Sequence, residues 1–383
     1  MRIGMVTGEY PPMEGGVGAF TREVARAMVA LGHTVHVFTR AEAHGADEDG
    51  IVVAAQVAGR WGWRTIGAIR NWAHAHRLEV VNIQFQTAAY NMHPAIHWLP
   101  SRLREVPIVV TFHDLRVPYL FPKAGPLRRW IVRKLAADAD GVIATDRADE
   151  AILRNEWHIP HVCWVPIGSN VAASLPADYN RSAWRATLGV APDDLLISYF
   201  GFLNESKGGL VLVEALARLV QQGIPARLVM IGGRAGASDP TNWAYGERVD
   251  AFIAQQGLAD RVHWTGFVDD QTVSAYFYAS DLTALPYLDG VSLRRGTLMA
   301  ALAHGRAIVT TTPQSAAPEL DGVVETVPAG DASALAEAIL RLWRDADRRR
   351  TLEAAALKAS RHFGWESIAR RTLDFYATFV EGR

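Results

Sequence analysis

Glycines and cations beside apolar runs are the residues of this chain that could do chemistry. The stretch GEYPPMEGGVGAF, residues 8 to 20, puts four glycines and two prolines between an apolar run and a helical one. Glycine lets a phosphate or a sugar come close to the main chain, and a helix N-terminus offers N–H groups and partial positive charge to an anion. The same residues also suit a plain strand-to-helix turn. Gly15, Gly16 and Gly18 are too compact for the G-x-G-x-x-G spacing of a dinucleotide site, which argues against a dehydrogenase. A second constellation, PYLDGVSLRRGTLMAALAHG, packs Asp289, Ser292, Arg294 and Arg295 into the loop before a helix. Two adjacent arginines at a helix start either face solvent or hold an anion, and the helix dipole disfavours them unless the anion is there. A third, PKAGPLRRWIVRKLAAD, joins Lys123, Arg128, Arg129, Arg133 and Lys134 to Leu127, Trp130, Ile131 and Leu135 at helical spacing. Such a helix either covers a core with a charged outer side or lies on an anionic membrane, where residues 123–135 would make a peripheral contact favouring lipid-linked acceptors. The tryptophans of AGRWGWRTIGAIRNWAHAH, residues 58–76, suit a core better than a sugar platform.

These residues need elements to hold them. With 383 residues, 49% of them hydrophobic, the chain can build two cores. A net charge of −1 gives no overall reason to expect nucleic acid. Cys163 is the only cysteine, so neither an intramolecular disulfide nor a cysteine-based zinc cluster can form. The N-terminus lacks a signal-peptide core, and no run approaches the roughly 18 apolar residues of a membrane helix. The expected location is therefore cytoplasmic, with the inner face of the membrane as the place of any peripheral contact. Apolar runs at 2–7, 34–39, 80–85, 107–113, 141–145 and 162–166 read as strands separated by helical segments. Phe20, Val24, Met28 and Leu31 line one face of the first helix, which Gly32 stops. Near 167–180 the pattern lapses into Gly, Ser, Pro and Asn, and a second series follows at 195–202, 227–233, 261–267, 282–287, 307–311 and 323–328. The fold class is α/β with two doubly wound parallel sheets, whose ligands sit beyond the carboxyl ends of the strands.

Several of these segments, in this order, resemble one family. PPMEGGVGAFTREVARAMVALGHTVHVFT, VTFHD, FGFLNESKGG, RVHWTGFV, LAHGRAIVTT and the closing FGWESIARRTLDFYATFV are similar to the retaining glycosyltransferases of family 4, and together they span nearly the whole chain. The resemblance implies a GT-B fold: two facing Rossmann-like domains, here 1–175 for the acceptor and 176–362 for the nucleotide-sugar donor, with a crossover helix at 363–383 packing on the first domain. It implies that Gly15 and Gly16 contact the donor phosphate or the acceptor, that His113 touches the transferred sugar and that Lys207 pairs with the diphosphate. By the same likeness Phe267 and Val268 hold the nucleobase through their main chain. Asp114 either joins the site or caps a turn.

The departures from that pattern are specific. Phe202 stands where the family has a phosphate-binding arginine, and Ser292 and Ala300 stand where it has a pair of glutamates. Arg294 or Arg295 is expected to replace the arginine, and Asp289 to bond a donor hydroxyl. No Asp-x-Asp metal motif occurs, and the expected catalysis needs no metal and no cofactor, because lysine, arginine and helix dipoles can stabilise the leaving phosphate. The implied partners are a nucleoside-diphosphate sugar and a hydroxyl acceptor (a glycan, a lipid-linked molecule or a small molecule), with no nucleic acid. A non-hydrolysing nucleotide-sugar epimerase of the same fold is the rival enzyme, disfavoured by the GGVG loop and the closing helix. A non-catalytic sugar-nucleotide-binding partner subunit is the rival outside catalysis, prompted by the lost glutamates.

Overall fold

The computed structural model describes residues 1–13, 15–115, 126–233 and 240–381, without the side chains of Pro126, Arg128 and residues 240–242. The chain forms two compact units, one of Met1–Asn170 with Gly364–Arg383 and the other of Val171–Phe363. The first holds strands β1 (Arg2–Thr7), β2 (Thr34–Arg40), β3 (Ile51–Val57), β4 (Val80–Phe85), β5 (Ile108–Phe112), β6 (Gly141–Ala144) and β7 (Val162–Trp164) in the order β3-β2-β1-β4-β5-β6-β7. The second holds β8 (Leu195–Phe200), β9 (Ala226–Ile231), β10 (Val262–Trp264), β11 (Leu282–Leu285), β12 (Ile308–Thr311) and β13 (Glu325–Val327) in the order β10-β9-β8-β11-β12-β13. Every pairing is parallel. The predicted pair of doubly wound parallel sheets is the architecture found.

The strands are legible because both faces of a parallel sheet are covered, so an inner strand reads as a continuous apolar run. β4 and β5 are buried at every position. The apolar-run reading leaves out β3, an edge strand paired only with β2, whose alanine-rich sequence includes Val52 at 44% exposure. One face of the first sheet carries Val6, Ile83, Val110 and Phe112. The other carries Ile3, Met5, Val109 and Ile143, together with Phe20, Val24 and Met28 of the first helix, Gly16–Ala30, and Ile368, Leu373 and Tyr376 of the last, Trp365–Val380. Leu31 caps the first helix, and Gly32 follows at φ 86°. The last helix is pinned where Trp365 Nε1 donates to Ser169 O at 2.8 Å and the Trp365 ring meets Phe20 at 5.5 Å. Its aromatic end lies against Gly141, where a Cβ would stand 2.6 Å from the Phe379 ring.

Candidate active site

In the second sheet, the chain runs outward from β8 through β9 to β10, then returns to β11 on the other side of β8. Loops that leave such a switch point in opposite directions open a crevice at the strand ends. Three positive-φ glycines stand along that edge: Gly201 after β8 (φ 115°), Gly232 after β9 (φ 120°) and Gly266 after β10 (φ 67°). A Cβ on Gly201 would lie 2.6 Å from Thr297 Cγ2 and 3.1 Å from Lys207 Nζ, so the missing side chain makes room for the ammonium.

Lys207 ends the short turn Glu205–Lys207, and its N–H donates to Asn204 Oδ1 at 3.0 Å. Gly208 then takes the left-handed conformation, where a Cβ would stand 1.9 Å from Pro286 O. Leu288 N donates to Ser206 O at 2.8 Å, which binds the loop after β11 to the loop after β8. That loop carries Arg295, the N-cap residue of helix Gly296–Ala303. The Arg295 guanidinium lies over the Tyr287 ring, 4.7 Å from its centroid, and Tyr287 Oη meets Thr297 Oγ1 at 2.6 Å. Burial, with a smaller contribution from the nearby positive charge of Arg295, lowers the Lys207 ammonium pKa from 10.5 to about 8. Two cations held together in a poorly solvated crevice favour a multiply charged anion.

Arg295 already has a counter-ion in this structure: Nη2 donates to Asp289 Oδ1. This corrects the expectation that only a bound anion could relieve an arginine at this helix start. It also engages Asp289, which the sequence reading leaves free for a donor hydroxyl. Among the described residues no carboxylate pairs with Lys207. Arg294 and Ser292 are half-buried in the same loop, and Ser292 O accepts from Arg295 N at 3.2 Å. Phe202 is 42% exposed, whereas Ala300 is fully buried within the helix. Beyond Gly266, Phe267 is 88% exposed and Val268 half-buried.

The first sheet has its switch point between β1 and β4. The glycine-rich loop follows β1, and Gly16 opens the helix with nothing within 4 Å of the place of a Cβ. The helix N-terminus is not vacant, however. Glu9 Oε1 accepts from Val17 N at 3.0 Å and from Gly18 N at 3.2 Å, and a Cβ on Gly15 would lie 2.1 Å from the same oxygen. The anion at this N-terminus is the chain's own, and Gly15 is glycine because the Glu9 carboxylate lies against it. An external phosphate at Gly15 and Gly16 would have to displace Glu9.

His113 leaves the end of β5. Its N–H donates to Phe85 O at 3.1 Å, and its ring meets Phe20 edge-on at 4.9 Å. Burial lowers its pKa from 6.5 to about 3, so the ring is neutral at physiological pH. Nε2 lies 2.9 Å from Gln84 Oε1. Asp114 sits with Oδ2 3.5 Å from Gln86 Nε2. Sequence reading missed Glu9 and Gln84. The available signal for Gln84 was the pair of polar residues two apart, Asn82 and Gln84, in an otherwise apolar strand.

The basic helix is Pro126–Asp138. Val132, Leu135 and Ala136 face the core, while Leu127 and Trp130 are 61% and 53% exposed. Lys134 pairs with Asp138 and lies 5.3 Å over the Trp98 ring, and Arg129 pairs with Glu156. Lys123 and the Arg128 side chain lie outside the described residues. Trp61 and Trp72 are core residues, whereas Trp63 is 55% exposed and meets Trp98 edge-on at 5.3 Å. Among the described residues no helix is long and apolar enough to cross a membrane, and no three His, Cys, Asp or Glu side chains are grouped to hold a metal ion.

Comparison with known proteins agrees with this architecture. Residues 15–168 match the glycosyl transferase 4-like domain, and residues 194–345 match the glycosyl transferases group 1 domain. The chain is 27% identical to a D-inositol 3-phosphate glycosyltransferase of Xylanimonas cellulosilytica, over 100% of this chain and 98% of that one. It is 25% identical to a phosphatidyl-myo-inositol mannosyltransferase of Mycobacterium leprae, over 99% and 97%. Among solved structures it resembles sucrose-phosphate synthase of Thermosynechococcus elongatus (TM-score 0.76, 22% identity, all of both chains). It also resembles Anabaena HepE in complex with UDP (TM-score 0.78, 19% identity, 99% of this chain and 100% of that one). With two matched domains in sequence, full-length relatives named as glycosyltransferases and a shared fold, the chain belongs to the GT-B glycosyltransferases of the family 4, group 1 type.

Proposed function

We propose that the chain is a retaining glycosyltransferase that moves a sugar from a nucleoside-diphosphate sugar to a hydroxyl acceptor without a bound divalent metal. In this reading residues 176–362 take the donor and residues 1–175 the acceptor. The observation that carries it is the pair of cations, Lys207 and Arg295, at the switch point of the second sheet. As the nucleoside diphosphate departs, negative charge grows on its phosphate while the anomeric carbon becomes cation-like. The Lys207 ammonium is already in place to stabilise that charge, and the Arg295 guanidinium joins it by exchanging Asp289 for the phosphate. When phosphate takes over Arg295, Asp289 is released and can accept a hydrogen bond from a donor hydroxyl. Gly201, Gly232 and Gly266 allow the nucleotide to lie against the main chain, with the base beside Phe267 and Val268. His113, neutral, accepts a hydrogen bond from a substrate hydroxyl. The acceptor attacks on the face from which the phosphate leaves, and a phosphate oxygen takes the proton, so the protein needs no nucleophile.

The names of the relatives support an acceptor of the inositol type, a polyol bearing a phosphate, either free or as a lipid headgroup. Solved neighbours that hold UDP support a nucleoside diphosphate as the donor's leaving group. The test is a thermal-shift titration with UDP, GDP and ADP, with and without EDTA, since a ligand that binds only the folded state raises the melting temperature. The expected result is an EDTA-insensitive rise with one nucleotide, followed by sugar transfer from its glycosides to inositol phosphate. No rise with any nucleotide would overturn the reading, whereas a nucleotide that binds but whose sugar is never transferred would indicate the non-catalytic subunit, the rival that Ser292 and Ala300 prompt. Turnover of the donor sugar without any acceptor would instead indicate an epimerase.

A further inference from the structure

Behind His113 lies a row of buried polar groups that the reaction does not use directly. Asn82 and Gln84 project from the same face of β4 and are essentially unexposed, as is Thr111 on β5. Asn82 Nδ2 donates to Val109 O at 3.2 Å and lies 3.0 Å from Thr111 Oγ1. A backbone carbonyl can only accept, so the Val109 contact assigns the Asn82 amide: its nitrogen faces Val109 O, and its oxygen faces Gln84 and lies 3.2 Å from Thr111 Oγ1. Gln84 Nε2 donates to Asn82 Oδ1. That assigns the second amide in turn, with Gln84 Oε1 facing His113 Nε2 at 2.9 Å. An amide oxygen has no proton to give, so Nε2 must carry one.

We infer that Asn82 and Gln84 form a positioning relay, anchored on the Val109 carbonyl, that holds His113 as the neutral Nε2–H tautomer and so makes Nδ1 a hydrogen-bond acceptor for a substrate hydroxyl. The substrate side of this statement rests on the transferase reading above; the tautomer does not. Among the described residues the groups that contact His113 are Gln84 from β4, the Phe20 ring from the first helix and the Thr145 hydroxyl behind its carbonyl, none of them charged. The relay excludes His113 as a general acid at Nδ1, because that nitrogen has no proton to donate. A misdirected buried amide would leave two polar atoms unpaired, which is why the row is polar from end to end.

The experiment is a long-range 1H–15N spectrum of the histidine rings of the full chain, with the His113 signal assigned by its loss in His113→Gln. The wild-type ring should remain the Nε2–H tautomer from about pH 8 down to about pH 5, below the ordinary histidine pKa. Gln84→Glu places a carboxylate beside Nε2–H and should raise the titration of His113 by one pH unit or more, an opposite charge favouring the imidazolium. Gln84→Met, similar in volume, should give a mixture of tautomers. With a transferable donor it should lower kcat about tenfold while nucleotide affinity stays within about twofold, the size expected for a lost hydrogen bond that acts in the reaction. An Nδ1–H tautomer or an imidazolium in the wild type at neutral pH would overturn the inference. So would an unchanged tautomer in Gln84→Met. Because the wild-type spectrum needs no substrate, failure of the relay and failure of the transferase reading remain distinguishable.

Discussion

At the scale of single residues, the two cations of the proposed donor site differ in their surroundings. Lys207 has no carboxylate partner among the described residues and is held beside Gly201 at a lowered pKa of about 8, whereas Arg295 is paired with Asp289. Removing either charge should weaken nucleoside-diphosphate binding, Lys207→Ala more than tenfold, a charge-assisted contact being worth about 1.5–3 kcal/mol. Near-normal affinity in both variants by calorimetry would remove them from the site. The pH dependence follows from the direction of the Lys207 shift. Its protonated form attracts the phosphate, so binding should be intact below pH 8 and should fall as pH rises through about 8, where the free lysine loses its charge. Stability moves the opposite way: burial lowers the ammonium pKa from 10.5 to about 8, so between those values the unfolded chain binds the extra proton and folding is favoured as pH rises. Nucleotide affinity that is flat from pH 7 to 9 would contradict the placement of Lys207. Lys207 is singled out by the likeness of FGFLNESKGG to the family's lysine-bearing loop and not by a local pattern, since a lysine before two glycines is otherwise an ordinary solvated charge. Asp289 was legible as a polar loop residue but not as the partner of Arg295, because residues six apart in a loop do not reveal which way their side chains turn.

At the scale of elements, the loops after β8 and β11 behave as one device. Gly201, Gly208 and Gly232 are held in positive-φ conformations where loops approach closely, and each is unfavourable for any other residue. Gly201→Ala would set a methyl against Thr297 Cγ2 at 2.6 Å and crowd the Lys207 ammonium. The expected result is a loss of about 1–3 kcal/mol in stability, from strain at a non-glycine φ, together with weakened nucleotide binding. A variant that melts and binds like the wild type would show that the crevice tolerates a side chain. In the first sheet the comparable loop has a different solution. Its helix N-terminus is satisfied by Glu9, a residue eight positions before Val17, which no short-range capping pattern includes. The glycine-rich stretch reads as room for a phosphate or a sugar beside the main chain, and the group that lies there in this structure is a carboxylate of the same chain.

At the scale of the whole chain, the last helix belongs to the core of the first unit although some 200 residues of the second unit separate them in sequence. Ile368 is fully buried with Ile3, Val35 and Phe20. Ile368→Ala should lower the stability of the first unit by about 2–5 kcal/mol through the cavity it leaves. Limited proteolysis would check this, with early cleavage expected in Met1–Asn170 and the second unit left resistant. The reverse order of cleavage would contradict the packing. The sequence by itself determined the strand series except the edge strand β3, the two sheets and the family, because fully covered parallel strands must be apolar and the motifs that turn between them are local. Only the tertiary structure decided that Glu9 occupies the first helix N-terminus, that Asp289 neutralises Arg295, and that Asn82 orients Gln84 against His113. Each of these depends on which polar atoms meet after folding. Periodicity records whether a side chain is inward or outward, but it carries no information about the partner that a buried polar atom finds there.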